Sequence, residues 1–390
     1  MRRPVRAVLI FLLTAGLLAF SLHNADLGGV LAETRRAEPV PLLLALVATF
    51  ATYALRAWRW QSLLAPIGAT RFSVAFRTTV IGFAASFLLP ARAGEVIRPY
   101  LLARRERLSA TAAFATVVLE RLLDLVVVLL LFASFVFTAA PGVVTGDPAL
   151  LARVKVGGAF AGAASVIGLA LLFALAGHPE RLGRLALKIE GVLPARLARA
   201  VAKFVETFAQ GLAVMRQPGR LVVALVLSVP LWMSIALGIW LTSRAFHITF
   251  PYPASFLVMT ILVVGVAVPT PGAIGGFHAA YRIAVQMFFG APPDRALGGA
   301  FVLHAISFLP VTILGAIFMF SEGLTLTGVR ELAESAPAPP ADQSTEAGAR
   351  AAGSGPMKAG APAAGNQRYD ARAERDGRAA MVPPGKRSAR

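Results

Sequence analysis

Six apolar stretches, each close to the length of a bilayer-spanning helix, divide this sequence of 390 residues. They cover residues 7–22, 40–64, 111–137, 156–176, 221–242 and 296–320. A helix needs about 20 apolar residues to cross a bilayer core of ~30 Å, because each residue adds about 1.5 Å of length. A helix also satisfies its own backbone N–H and C=O groups, as lipid requires. The pattern predicts an all-α polytopic transmembrane helical bundle with six full spans.

The first apolar stretch follows Arg2, Arg3 and Arg6 and has the basic and hydrophobic regions of a secretory signal. The residues after it lack the small-x-small pattern of a cleavage site. We therefore predict that this stretch is retained as an uncleaved first span.

Composition supports a membrane protein and excludes several other classes. Hydrophobic residues make up 57% of the chain and charged residues 15%, unlike a soluble globular protein. The net charge of +18 is scattered between the apolar stretches, which fits positive-inside orientation better than a nucleic-acid-binding stripe. The absence of cysteine excludes disulfides, thiol catalysis and Cys-ligated metal. We expect membrane lipids as partners, and no nucleic acid, metal or cofactor.

Two further apolar stretches are interrupted by proline. Residues 72–102 are broken at Pro90, and residues 253–289 are broken at the run PTPGAIGG, residues 269–276. If the first arm of the first stretch crossed the membrane, the segment 177–220, with eight Lys/Arg and three Glu, would lie outside, against the positive-inside rule. We therefore predict that this stretch enters the bilayer and returns as a re-entrant hairpin. The second stretch either re-enters from the opposite side or crosses as a pair.

Two opposed hairpins, each broken by Pro and followed by Gly, are typical of inverted-repeat transporters, which bind substrate between the breaks. Irregular backbone at this depth is tolerated where it is buried in protein or lines a polar cavity. The alternative is that Pro and Gly only kink packed helices. Because both breaks have charged residues beside them, we favour a binding site.

Charged residues also stand in the middle of the third full span. Glu120 and Asp124 are four residues apart and share a helix face, whereas Arg121 points about 100° away from Glu120. At least one carboxylate therefore needs a partner on another element. Arg92 and Arg98 beside the first break are the candidates. The alternative is an ion-pair network that only fixes the hairpin to this span.

Four motifs make the sequence similar to a known family. They are PARAGEVIRPYLL, LERLLD, FAQGLAVMRQPGRL and PTPGAIGGFHAAYR, and they lie within residues 7–320. They resemble the flippase-like integral membrane family that includes the transmembrane region of lysylphosphatidylglycerol synthases. The candidate substrate-binding residues that follow are Arg92, Gly94, Glu95, Arg98, Glu120, Arg121, Asp124, Pro271, Gly272, Gly275, His278 and Arg282.

The resemblance implies that the chain moves the polar head group of an anionic phospholipid or lipid-linked glycan across the membrane. Arg92 would contact a phosphate bidentately, and the helix N-termini after both breaks would favour an anion. Many members of the family carry a Glu where this chain has His278 followed by Arg282. His278 would then donate to phosphate or act as a proton-linked switch, unless it is a packing residue.

Two alternatives to transport stay open from the sequence. One is a non-transporting accessory protein that binds lipid and scaffolds a cell-envelope or glycan-pathway enzyme. The other is an intramembrane enzyme that uses Glu95, Glu120 and Asp124. No HExxH motif, P-loop, EF-hand or nucleophile elbow is present, and residues 327–390 are too few for the soluble catalytic domain of aminoacyl-lipid synthases. We therefore expect no enzymatic activity.

The remaining segments set the expected organisation. Residues 1–326 should form the membrane domain, and residues 327–390, rich in Ala, Pro, Gly, Ser and charge, should form a disordered cytoplasmic tail. Residues 179–218 contain a basic helical pattern, which either lies on the anionic cytoplasmic leaflet or packs as a cytosolic hairpin. We place the chain in a bacterial or archaeal plasma (inner) membrane with both termini in the cytoplasm.

Overall fold

The computed structural model describes residues 12, 14–19, 26–89, 93–140, 142–144, 148–177, 204–268 and 270–323. From residue 26 onward the α-helices are α1 (Leu27–Arg36), α2 (Pro39–Leu64), α3 (Phe72–Leu88), α4 (Gly94–Glu106), α5 (Ala110–Thr138), α6 (Pro148–Gly177), α7 (204–211), α8 (Pro218–Ala245), α9 (Ser255–Ala267), α10 (Gly276–Phe289) and α11 (Pro293–Ser321). These described residues contain no strand. The predicted all-α fold is therefore confirmed.

Five of the described helices, α2, α5, α6, α8 and α11, are long and apolar enough to cross a membrane. Four of them begin and end within three residues of a predicted span, whereas α6 begins earlier, at Pro148. Proline is well suited to the first turn of a helix, where its missing N–H has no partner to lose. Of the first predicted span, residues 12 and 14–19 are described and are helical, and the rest lies outside the described residues.

The short helix α1 was not predicted, because its ten residues are too few and too polar for a span. Asp26 caps it by accepting a hydrogen bond from the Gly28 N–H at 2.9 Å. Glu33 of α1 accepts a hydrogen bond from Arg295 of α11 at 3.0 Å, which joins the two helices.

Both proline breaks occur where the sequence places them. Helix α3 ends at Leu88 and α4 begins at Gly94, while α9 ends at Ala267 and α10 begins at Gly276. The four arms contain 17, 13, 13 and 14 residues. Each is therefore roughly 20–25 Å long, shorter than the bilayer core of ~30 Å. Whether each pair re-enters or crosses stays a prediction.

Helices α3 and α4 touch each other through glycine. A Cβ atom on Gly94 would lie 1.7 Å from the carbonyl oxygen of Gly82, so only a hydrogen atom fits between the two backbones. On its other side α3 packs against α11, where a Cβ on Gly315 would lie 2.4 Å from the Cβ of Ala84. The first hairpin is thus held inside the bundle at close range.

Part of the basic segment is described. Residues 204–216 form α7 and a 3₁₀ turn, in which Leu212 and Val214 are fully buried. Gly211 lies against the backbone of Ala112 in α5, so this end of the segment packs on the bundle. Residues 178–203, which carry the rest of the predicted surface helix, lie outside the described residues. The predicted tail, residues 327–390, lies outside them as well.

Candidate functional site

Two carboxylates of α5 lie at the centre of a buried charged cluster. Glu120 is fully buried and Asp124 nearly so. Nη2 of Arg59, on α2, lies 2.9 Å from Oε1 of Glu120, and Nη1 of the same guanidinium donates to Oδ1 of Asp124. Nη1 also donates to the hydroxyl of Ser228, on α8, at 2.8 Å. One arginine therefore joins three helices.

Arg98 brings the first hairpin to the same carboxylate. Its Nη1 lies 3.1 and 3.2 Å from the two oxygens of Glu120. Its guanidinium carbon lies 3.8 Å from the ring centroid of Trp60, which adds a cation–π interaction. The indole N–H of Trp60 donates to Thr116 at 3.0 Å and so fixes the ring. The predicted pairing between a hairpin arginine and an α5 carboxylate is confirmed for Arg98 and Glu120.

Asp124 is held from several sides. The indole N–H of Trp232, on α8, donates to Oδ1 at 2.9 Å. Nη1 of Arg121 and Nη1 of Arg56 lie 3.7 and 3.9 Å from Oδ2, which are longer and weaker contacts. Nη2 of Arg121 also donates to Oε1 of Glu120, at 3.4 Å. All the contacts of these two outer arginines with the carboxylates are thus longer than those of Arg59.

Positive charge exceeds negative charge in this cluster by one. Its described members are the guanidinium groups of Arg56, Arg59, Arg98 and Arg121 and the carboxylates of Glu95, Glu120 and Asp124. Six of its guanidinium nitrogens have no hydrogen-bond partner among the described residues, namely Nη1 of Arg56, Nε and Nη2 of Arg59, Nε and Nη2 of Arg98 and Nε of Arg121, against one of its carboxylate oxygens, Oδ2 of Asp124. Buried donors that lack acceptors favour the approach of an anion.

A cavity of about 440 Å³ opens beside the cluster. Its charged lining comes from α2, α4 and α5 and consists of Arg56, Glu95, Arg98, Arg121 and Asp124. Its apolar lining comes mainly from α8, α9 and α11 and includes Ile239, Met259, Leu262, Val266 and Leu303. Residues next to both breaks, Gly94 at the first and Thr270 and Ala273 at the second, also line it. The cavity is thus amphipathic and lies between the breaks.

The second break contains a pair of histidines. Nδ1 of His278, on α10, accepts a hydrogen bond from the Gly275 N–H at 3.3 Å. The His278 and His304 ring centroids lie 4.7 Å apart. Nε2 of His304, on α11, lies 2.8 Å from the Gly272 carbonyl oxygen and must donate to it, because a carbonyl only accepts.

The structure brings some of the predicted site residues together and separates others. Gly94, Glu95, Arg98, Arg121 and Asp124 line the cavity, and Glu120 lies behind them, bonded to Arg98. The remaining described candidates, Pro271, Gly272, Gly275, His278 and Arg282, do not line it. Arg282 instead donates to Gln286 at 3.1 Å. Arg92 lies outside the described residues.

Sequence reasoning missed the contribution of α2 and α8. Arg56 and Arg59 are three residues apart in the run YALRAWRW and therefore share a helix face, which was the available signal. Trp60 and Trp232 hold the cluster through ring and N–H contacts, and nothing in their spacing marks them. Among the described residues, no group of three or more His, Asp or Glu side chains is placed to hold a metal ion.

Comparison with known proteins identifies a family and a curated relative. The family described as "Lysylphosphatidylglycerol synthase TM region" matches residues 7–315, which confirms the resemblance of the motifs. Glycosyltransferase AglD of Haloferax volcanii is 25% identical over 362 residues, which cover 85% of this chain and 57% of that protein. The chain therefore spans little more than half the length of this curated relative. The two matches associate it with a membrane lipid-related or glycan-related function.

The second match corrects one expectation. We expected no enzymatic activity, and this is contradicted because the relative is named as an enzyme. The expectation relied on motifs of soluble enzymes and on the length of residues 327–390. Neither criterion tests for chemistry that uses side chains inside the bilayer.

Proposed function

Because this chain belongs to the lysylphosphatidylglycerol synthase transmembrane region family, we propose that its cavity binds the anionic head group of a membrane lipid or lipid-linked glycan and moves it across the membrane. The observation that carries this proposal is that unpaired guanidinium donors and a large apolar surface line the same cavity. A lipid phosphate matches the donors, and the chains of the lipid match the apolar side chains.

The charge of the cluster supports an anion and opposes a cation. Arg59 and Arg98 hold the two carboxylates of α5 at close range, whereas Arg56 and Arg121 contact them at 3.4–3.9 Å. Both outer arginines keep a guanidinium nitrogen without a hydrogen-bond acceptor among the described residues, and this nitrogen can attract a ligand. In a site with little water, a guanidinium attracts phosphate more strongly than it does in bulk solvent. The excess of positive charge would repel a cationic head group.

The position of the cavity between two backbone breaks supports movement of the ligand as well as its binding. Residues at both breaks line the cavity, and each break joins two helices shorter than the bilayer is thick. In transporters built from broken helices, substrates bind near mid-membrane and the broken segments move around them. We propose that the helix pairs α3 and α4, and α9 and α10, move around the ligand in the same way.

The first test removes one cavity arginine. Arg121→Gln keeps a similar shape but deletes the charge, and the fold should tolerate it because Glu120 and Asp124 keep their closer partners, Arg98 and Arg59. A hydrogen bond to a charged group contributes about 1.5–3 kcal/mol, so translocation of a labelled anionic phospholipid in proteoliposomes should slow at least about tenfold. The assay compares wild type and variant at matched density of folded protein.

The matched control for this test is Arg71→Gln, which deletes an arginine paired with Glu106 at the surface, where the Arg71 side chain is 72% exposed. It should leave translocation unchanged. Equal rates for wild type and Arg121→Gln would contradict a head-group contact by Arg121. Equal losses in both variants would show that only net charge matters.

The membrane orientation follows from the basic segments and gives a second test. We propose that the end of α4 and both termini face the cytoplasm. The side chain of Arg104 is exposed, whereas neighbouring Arg105 pairs with Glu322 at 2.7 Å. The chain has no cysteine, so Arg104→Cys would be labelled without background. We expect an impermeant maleimide to label it in inverted vesicles and not in intact cells, and the reverse result would overturn this orientation.

The match to a named glycosyltransferase favours a second candidate function, in which the chain acts on a lipid-linked sugar. The same arginines would then bind the phosphate of that lipid. Proteoliposomes supplied with lipid and a sugar nucleotide would be analysed by mass spectrometry of the recovered lipid. A chemically changed lipid that depends on the protein would support this candidate, whereas relocation of an unchanged lipid would support translocation.

A further inference from the structure

We propose that His278 and His304 together form a proton-binding site, in which His304 takes up one proton and thereby tightens the second break against the cavity. The site lies outside the charged cluster, and neither histidine lines the cavity. It would make lipid movement sensitive to protons, which goes beyond the proposed function.

The hydrogen bonds assign the protons of the neutral pair. Nδ1 of His278 accepts from the Gly275 N–H, so this nitrogen carries no proton and the ring is protonated at Nε2. Nε2 of His304 donates to the Gly272 carbonyl, so that ring is also protonated at Nε2. Both imidazoles are therefore held as the same neutral tautomer.

A proton added to the pair has one favourable position. Protonation of His278 at Nδ1 would set two N–H groups against each other and break the bond from Gly275. Protonation of His304 at Nδ1 keeps its bond to Gly272 and places a charge on the donor. Hydrogen bonds from a charged donor are roughly twice as strong as neutral ones. A second proton is opposed by repulsion, because the ring centroids are 4.7 Å apart.

The surroundings of the pair are mostly aromatic. Phe301 and Phe308 of α11 lie 4.6 Å from the His278 and His304 ring centroids respectively, and Phe277 lies 5.3 Å from His304. His304 is the titratable side chain whose ring contacts His278 among the described residues. On α10, the helix of His278, the charged side chain is Arg282, which donates to Gln286; on α11, the helix of His304, the charged side chains are Asp294 and Arg295 in its first turn. Protonation therefore depends on the apolar surroundings and on the repulsion within the pair.

The link from the proton to the cavity passes through strained backbone. Gly272 and Gly275 have φ values of 60° and 87°, and Ala273 has a φ of 56° although it carries a side chain. A non-glycine residue in this region stores strain and persists only where neighbouring contacts hold it. Ala273 lines the cavity and directly follows the carbonyl that His304 holds. A stronger hold on Gly272 therefore keeps this side of the cavity in place.

The test measures motion of the break without measuring lipid transport. Thr270→Cys places a thiol in the cavity at the break, and Thr49→Cys places one in the same cavity on α2, away from the break. Both single-cysteine proteins lack background thiols. We divide the N-ethylmaleimide labelling rate of Thr270→Cys by that of Thr49→Cys. This ratio cancels the pH dependence of thiol reactivity that both positions share. We expect the rate of Thr270→Cys relative to that of Thr49→Cys to rise about fivefold from about pH 4 to 8, a window wide enough for a histidine among aromatic side chains, as the charged hydrogen bond is lost.

Two matched variants locate the proton. His304→Gln keeps an N–H donor for Gly272 but cannot take up a proton, so its labelling ratio should not change with pH. His278→Gln keeps an acceptor for Gly275 and should retain the rise in the ratio. A flat ratio in the protein with both histidines, or a rise that survives His304→Gln, would overturn the proposal. If only His278→Gln abolished the rise, the proton would bind His278 and not His304, and the proposal would be wrong. The labelling ratio measures access to the break and not lipid movement. The Arg121 test can therefore contradict the proposed function without deciding this proposal.

Discussion

Replacing Glu120 by glutamine should lower the free energy of unfolding by about 3–5 kcal/mol, because the change strands buried guanidinium groups. Glu120 is fully buried, and its carboxylate contacts Arg98 and Arg59. Both arginines would remain charged, since arginine does not lose its proton in proteins. Unfolding of the purified protein in mixed micelles, followed by tryptophan fluorescence, measures the loss.

The same network predicts recovery when both charges are removed. Arg98→Gln alone should also destabilise the protein, by leaving Glu120 with one partner fewer. In the double variant both charges of this pair are absent. Its loss in free energy of unfolding should therefore be about 2 kcal/mol smaller than the sum of the losses in the two single variants. The surface pair Arg71 and Glu106 is the control, because an exposed ion pair contributes only about 0–1 kcal/mol. Strict additivity at Arg98 and Glu120 would show that they are not coupled.

The spans and breaks could be predicted because a helix that crosses lipid needs about 20 apolar residues without interruption. Five long helices coincide with apolar stretches, and the arms on either side of both breaks end close to the Pro and Gly residues. Helical periodicity also predicted correctly that the α5 carboxylates need a partner from another element, which is Arg98 for Glu120. These inferences depend only on local sequence and on the thickness of the membrane.

Arg59 shows where local sequence is insufficient. It lies near the end of an apolar span, where a basic residue is expected from the positive-inside rule alone. In the fold, α2 packs along α8, and this packing turns Arg59 towards Ser228 and both carboxylates. The spacing of Arg56 and Arg59 indicates a shared helix face, but whether that face points inward depends on the neighbouring helices, which local sequence does not give.

The histidines give the complementary case. The sequence singled out His278 as a head-group contact, yet the adjacent Phe277 is the residue that lines the cavity. Neighbouring residues on a helix point about 100° apart, so an uncertainty of one position changes which side chain meets the ligand. His304 lies on a different helix, and only the tertiary fold brings its ring against His278 and its N–H to Gly272.

The second large effect is expected at the glycine contact of the first hairpin. Gly94→Ala should lower the free energy of unfolding by about 3 kcal/mol or more, at the upper end of what overpacking usually causes. The new Cβ would lie 1.7 Å from the Gly82 carbonyl oxygen and 2.5 Å from the Ser86 hydroxyl. A backbone oxygen cannot rotate away as a flexible side chain can, so α3 and α4 must separate. Gly82→Ala, whose Cβ would lie 2.6 Å from the Cβ of Arg98, tests the same contact from the other helix.

The glycine control is Gly157→Ala on α6, where a Cβ atom would have no neighbour within 4 Å. Alanine is favoured over glycine inside a helix by roughly 0.5–1 kcal/mol, so this variant should be slightly more stable than wild type. Thermal unfolding of all three variants in the same detergent compares them directly. Because Gly94 begins the helix that presents Arg98 to Glu120, separation of the arms should also reduce lipid translocation. A Gly94→Ala protein as stable as wild type would show that the two backbones are not in contact, and the placement of Arg98 beside the cavity would then lose its structural basis.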